Sequence, residues 1–280
     1  MADASAGHAS SADAHRAVLS PDCGKCCGLC CVAPAFLASA DFAIDKAAGR
    51  PCPNLQPDFR CGIHSRLRDL GFPGCVAYDC FGAGQRVTQE ILAGDDWRTD
   101  PEMAPRMFAV FFVVRQLHEL LWYLTEALAL TATRPLHAKL EAAGAETEDF
   151  ARSGAEALSV LDLAGHRLRV NDLLRKASAL ARESSAGPAL DRRGADLIGA
   201  DLRAVDLRGS DLRGATLIGA DLRGTSLALV DLTGADLRGA NLAGADLASA
   251  LFLLQSQLES ARGDLATALP TTLTRPTHWA

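Results

Sequence analysis

The sequence predicts a multi-domain α+β protein, made of a cysteine-rich amino-terminal module, a helical middle region and a carboxy-terminal solenoid. Three observations carry this reading. Five cysteines fall within nine residues, CGKCCGLCC at 23–31, and the other four follow at Cys52, Cys61, Cys75 and Cys80. A long apolar run at helical spacing occupies 107–130. From residue 195 a five-residue motif repeats down the chain.

At 280 residues the chain has room for two or three domains. Its net charge of −6 offers no basic surface for nucleic acid. Basic residues are mostly Arg, with Lys only at 25, 46, 139 and 176. With the abundant Ala, Leu and Gly, this is the composition of a GC-rich bacterial genome. Residues 1–19 are small and polar and lack the apolar core of a secretory signal. A disordered lead-in and a cytoplasmic location are therefore expected.

Residues 20–88 hold every cysteine and six prolines, with little helical pattern. In a reducing compartment disulfides are disfavoured, and clustered thiols point to metal. Thiolates are soft ligands that suit zinc or an iron–sulfur cluster. The spacings Cys23-x-x-Cys26 and Cys27-x-x-Cys30 let two sulfurs reach one ion, and Gly24 and Gly28 allow a tight backbone. Lys25 is placed to favour thiolate. Two all-cysteine zinc sites would use eight of the nine thiols, and one four-iron cluster with leftover thiols is the alternative. His64 reads as a surface residue, and FGAGQRV at 81–87 as a turn, since it lacks the Lys-Ser/Thr of a P-loop.

The run CGLCC, then PCPNL, then RCGIH, then the pair Cys75 and Cys80, resembles the cysteine-rich zinc- or iron-chelating domain family. Cys27-Gly28-Leu29-Cys30-Cys31 matches its CGxCC, Cys52 with Leu55 its CxxL, and Cys61 with Ile63 and His64 its C-I-[YH]. The front departs from the pattern, with Cys23 one place early and Cys26 extra. The candidate ligands are Cys23, Cys27, Cys30, Cys31, Cys52, Cys61, Cys75 and Cys80, with Cys26 in reserve.

Residues 100–185 read as helices. In 107–130 the apolar positions 107, 110, 111, 114, 117, 120, 121, 124 and 128 make one face. Arg115, His118, Glu119 and Glu126 would be costly in a bilayer, so a buried helix is expected rather than a membrane span. Pro135 and the polar AAGAETED are expected breaks, and Leu161, Leu168, Leu173, Leu174 and Leu180 a buried side. SSAGP at 184–188 ends the region.

From residue 195 the chain reads ADLIG ADLRA VDLRG SDLRG ATLIG and onward. Leu occupies every fifth place from 197 to 247, with Phe252 at the next, and a small residue usually stands two places before each. This period fits neither a helix nor an alternating strand and marks a solenoid. The motif resembles the pentapeptide-repeat family, A(D/N)LXX. That resemblance implies a right-handed quadrilateral β-helix over 189–254, four quintets per coil and about three coils, with the central Leu pointing inward. At about 4.8 Å per coil the rod is only about 15 Å long. Arg203 is then expected near Arg223, and Ile198 near Ile218. Residues 255–280 read as a cap, with Leu254, Leu258, Leu269 and Trp279 packing on the last coil and the helical region before 189 covering the first.

No catalytic constellation is visible in the quintets. The reading is a non-enzymatic metal-binding scaffold with a protein partner, no nucleic acid and no membrane, and a homodimer as a further option. The alternatives are a redox- or iron-sensing iron–sulfur protein and, because some pentapeptide-repeat proteins imitate DNA, a gyrase-binding mimic. Eight Asp against five Arg over 195–249 make this rod only mildly acidic.

Overall fold

The computed structural model describes residues 12–279. Its helices are α1 over 12–18, α2 Leu29–Val32, α3 Pro73–Ala77, α4 Ala83–Arg86, α5 Ala104–Ala129, α6 His137–Ala151, α7 Ala155–Ser159, α8 Leu163–Arg182 and α9 Gln255–Ser260. Two compact units divide the chain, one of residues 1–72 and 80–175, the other of 73–79 and 176–280.

The first unit is built on α5. Pro105 sits in its first turn, where a missing N–H costs nothing, and Asp100 Oδ1 accepts from the N–H groups of Glu102 and Met103. Thr133 Oγ1 donates to Ala127 O at 2.6 Å, satisfying a carbonyl freed at the other end. Met107, Val110, Phe111, Val114, Leu117, Leu120 and Leu124 are buried, and α4, α6 and α7 pack against the helix. α5 has the length and mean hydropathy, 1.3, of a membrane span, with half of that window buried inside the protein.

Several local expectations change. The lead-in expected over 1–19 lies, for 1–11, outside the described residues. From 12 the chain is helical, with Leu19 buried and Arg16 bonded to Glu126 at 2.7 Å. FGAGQRV is not a turn but a helix start. Gly82, at φ 71°, opens α4, which runs into a π-helical turn, Val87–Ile91. AAGAETED does not break the helix either; it lies within α6, where Thr147 is held by its own hydroxyl on Ala143 O. In α8 the buried line is His166, Val170, Leu174, Ala177 and Ala181, while Leu168 is 72% exposed. The line follows steps of three and four residues, which Leu168 breaks.

The second unit is the repeat. Residues twenty apart pair as parallel bridges, including Asp191 with Asp211, Asp201 with Asp221, Asp211 with Asp231 and Asp231 with Leu251. Twenty residues per coil is four quintets. Pairing is by isolated bridges, and no extended strand forms among the described residues. Each coil turns four times, so no run is long enough to be a strand. Where the quintet ends in glycine, that residue takes a left-handed conformation, as at Gly214 (φ 63°), which glycine adopts without strain.

Leu202, Leu207, Leu212, Leu217, Leu222 and those that follow to Leu247 fill the axis and are almost wholly buried. At the next slot Phe252, at φ 57°, lies outside this cluster and Leu253 enters it. Beyond it the pairing register lengthens, Asn241 with Arg262 and Asp246 with Ala268. Leu258, Ala261 and Trp279 join the axial cluster, Leu269 packs against it, and α3 packs on α9.

Candidate functional site: two groups of thiols

None of the nine cysteines is in a disulfide. Eight belong to the first unit, and Cys75 lies on α3 in the second. Around residue 23 the chain makes a short 3₁₀ turn, Cys23–Lys25, capped by Asp22 Oδ1 on Gly24 N–H at 2.9 Å. Cys26 then extends (φ −118°, ψ 139°). Extended neighbours point to opposite sides, and Cys26 and Cys27 part accordingly.

Cys26 lines a cavity of about 20 Å³ with Cys23, Cys30 and Cys80. Gly84 forms the opposing wall, and a Cβ there would stand 2.5 Å from Cys26 Sγ. Cys27 turns into the core and is 2% exposed. Its N–H donates to Thr88 Oγ1 at 3.2 Å, its carbonyl accepts from Trp97 Nε1 at 2.8 Å, and its sulfur lies 3.7 Å from Met107 Sδ.

α2 carries the second cysteine pair. Gly28, at φ 73°, starts the helix where a side chain would meet Leu55 and the Phe59 carbonyl. Cys30 lines the cavity with the Cys31 sulfur 3.9 Å from its own, and the loop from Cys52 to Cys61 runs beside the Cys31 backbone. That loop is tied to α2 by Cys52 N–H on Cys31 O at 2.9 Å and closed by the Leu55–Cys61 bridge. Arg98 holds its tip through the carbonyls of Gln56 and Pro57 and lies over the Phe59 ring.

The thiols are mostly held protonated. Burial pushes Cys26 up to about 12 and raises Cys23, Cys27 and Cys61. The Cys30 and Cys31 sulfurs are 3.9 Å apart, and the hydrogen bond between them raises Cys30 and lowers Cys31. Lys46 also lowers Cys31. Lys25, the lysine expected in that role, pairs with Asp22 at 3.3 Å. Lys46 is buried on the carbonyls of Val32, Ala47 and Arg50. Nothing in its sequence neighbourhood marks it. His64 is exposed, as read.

In chemistry the donor set fits a soft metal, and the cavity has room for one water-sized occupant. In geometry the sulfurs stand apart: among the described residues no three Cys, His, Asp or Glu side chains are grouped tightly enough to hold an ion as they stand.

On the repeat, the outward side chains form rows. Each Asp accepts from the backbone N–H two residues on, and except at Arg213 the Arg standing there pairs with it as well, Asp201 with Arg203 at 2.7 Å and Asp221 with Arg223 at 2.6 Å. Arg203 also reaches Asp221 at 3.4 Å, so Arg203 and Arg223 share one carboxylate.

A family model described as pentapeptide repeats matches in eight copies over 193–228, 215–252 and 226–261. With the twenty-residue register, this makes residues 193–261 a run of pentapeptide repeats. The chain is 54% identical to the uncharacterized protein YybG of Bacillus subtilis (strain 168) over 264 residues, 93% of this chain and 95% of that one, and belongs to one family with it.

Among solved structures, the pentapeptide repeat protein Rfr23 from the cyanobacterium Cyanothece 51142 is 31% identical over 29% of this chain and 51% of its own, with a TM-score of 0.21. AT2G44920, a pentapeptide repeat protein from the Arabidopsis thaliana thylakoid lumen, is 27% identical over 31% and 55%, with a TM-score of 0.16. The chain thus spans about half the length of these two structures.

Proposed function

We propose that this protein is a non-enzymatic interaction scaffold. Its repeat presents fixed rows of side chains to a protein partner, and its cysteine-rich segment is stapled by thiolate-bound metal, zinc or an iron–sulfur cluster, in a reducing cytoplasm. The observation that supports it best is the twenty-residue register, which stacks outward residues such as Arg203, Asp221 and Arg223 above one another on a sealed leucine core. A surface of that kind binds by shape and charge without moving.

The DNA-mimic reading fits less well. Asp201, Asp206, Asp221 and Asp236 are each neutralised by the Arg two residues on, so the rows lack the acidic run of a phosphate backbone.

Two experiments test the proposal. A photo-crosslinking residue placed at 198, 203 or 223 in the producing cell is expected to trap one defined protein, and charge reversal of Arg203 and Arg223 to abolish the adduct. No adduct from any face of the repeat would end the scaffold reading. For the metal, anaerobic preparation with metal analysis separates colourless zinc from a coloured iron–sulfur cluster, which would favour the iron-sensing role. Chelation is expected to speed hydrogen exchange over 20–88 while leaving 195–251 unchanged. Protection of 20–88 that persists without metal would contradict the staple.

A further inference from the structure

We propose that the first coil of the repeat is a docking edge for a second copy of this chain, which pairs with it head to head along the sides that carry Asp196 and Asp201. The inference rests on the geometry of the repeat alone and is independent of the metal reading.

Inside the repeat, the residue before each axial Leu turns both its N–H and its C=O toward the preceding coil. Thr216 N–H donates to Ala195 O and Thr216 O accepts from Leu197 N–H, both at 2.9 Å. Asp221 does the same with Ala200 O and Leu202 N–H, again at 2.9 Å. Asp196 and Asp201 hold these places in the first coil, in register with Thr216 and Asp221. Among the described residues, neither their N–H nor their C=O groups find a backbone partner. The last turn of α8 meets the repeat elsewhere, with Arg182 donating to Gly209 O and Asp211.

The apolar end beside this edge is open as well. Ala215, Leu217 and Ala220 in the second coil are 0% exposed, whereas Ala195, Leu197 and Ala200 at the same places in the first coil are partly exposed.

An unpaired edge is a template for another chain, and its shape selects the occupant. The backbone turns a corner after every quintet, so a straight peptide adding as a strand would pair with one side only. Another coil follows the corner. Two such coils meeting about a two-fold axis run antiparallel, and facing residues of an antiparallel pair exchange N–H and C=O in both directions. An axis at the corner between the two sides sets Asp196 of each copy against Asp201 of the other.

Charge agrees with this arrangement. Asp196 has Ile198 where the flanking quintets carry Arg193 and Arg203, so no Arg of its own quintet neutralises it. Arg203, which lies on Asp201 at 2.7 Å, comes beside it from the second copy. The pairing stops at the preceding side, where the exposed Arg192 holds the inward slot and bars an apolar contact. The far end of the repeat is closed by Leu258, Ala261 and Trp279, so the product is a closed dimer and no filament.

The test is sedimentation velocity of the full chain in reducing buffer, which keeps disulfides out of the result. The wild type is expected to dimerise reversibly with concentration. Asp196→Pro with Asp201→Pro removes backbone donors that bond nothing in the monomer, and is expected to raise the dimer Kd about tenfold or more. Asp196→Ala with Asp201→Ala loses the same side chains but keeps the N–H groups, and is expected to stay within about threefold of the wild type. A wild type that is monomeric up to about 0.1 mM overturns the proposal, as does an unchanged dimer in the proline pair. Equal loss in both pairs, with circular dichroism unchanged, assigns the contact to the carboxylates and overturns it too.

Should the proline pair fail to fold, hydrogen exchange of the wild type decides. The Asp196 and Asp201 amides are expected to exchange about tenfold more slowly at high concentration than on dilution to the monomer. Rates that do not depend on concentration overturn the proposal: fast exchange throughout means a free edge, slow exchange throughout an edge covered within the chain itself.

Discussion

Arg213 reaches from one coil of the repeat to the next and pairs with Asp231 at 3.1 Å, a carboxylate with no exposed surface. Thr233 completes the arrangement, its N–H and hydroxyl both donating to Asp231 Oδ1. A buried charge of this kind depends on its partner, because its desolvation is offset only while the pair is intact. Arg213→Ala is therefore expected to cost about 3 kcal/mol. Arg203→Ala, on the exposed row, is expected to leave the urea midpoint almost unchanged. Equal shifts in the two variants would show that Asp231 does not need Arg213.

The axial leucines set the stability of the same unit. Leu217 and Leu222 are fully buried among their counterparts in the neighbouring coils. Either Leu→Ala change is expected to cost about 3–5 kcal/mol, since a stack fixed by backbone pairing cannot collapse to fill the gap. The outward Ile198, 60% exposed, is expected to tolerate Ala within about 0.5 kcal/mol. Urea unfolding of the three variants checks both.

Two glycines in helices of the first unit predict opposite outcomes. Gly84→Ala forces a methyl group onto Cys26 Sγ and is expected to destabilise by about 1–3 kcal/mol. Gly144→Ala, inside α6 with nothing near its added methyl, is expected to stabilise by about 0.5–1 kcal/mol. Thermal melts compare the pair directly.

His118 makes the first unit sensitive to acid. It is fully buried, its Nδ1–H donates to Phe81 O at 2.6 Å, and burial pushes it down to about 4. The unfolded chain takes up this proton from about pH 6.5 downward, the folded chain only near pH 4. Unfolding therefore gains a proton in that window, and stability is expected to fall by about 3 kcal/mol as pH drops through it. His166, also lowered by burial, acts in the same sense. His118→Gln is expected to flatten the profile between pH 6.5 and 4. An unchanged profile would mean that His118 is not the group responsible.

The repeat was legible in the sequence almost residue by residue. A solenoid coil uses each position for one purpose, so the inward Leu and the outward Asp recur at fixed places, and the twenty-residue register is that period multiplied by four. Helix α5 was legible for a related reason, since its buried face follows the helical period. The abundance of thiols and the preference of thiols for soft metals were also plain from residue types alone.

Which thiol stands beside which was decided only by tertiary structure. The dipeptides Cys26-Cys27 and Cys30-Cys31 look equivalent in the sequence. One extended residue parts the sulfurs of Cys26 and Cys27, whereas those of Cys30 and Cys31 stay 3.9 Å apart, and the neighbours met there come from Cys52, Cys61, Cys80, Thr88 and Met107, far along the chain. Lys46 became a partner of Cys31 by the same route. The register of the repeat follows from local periodicity. The sorting of the thiols follows from backbone direction and long-range packing, which a spacing pattern does not record.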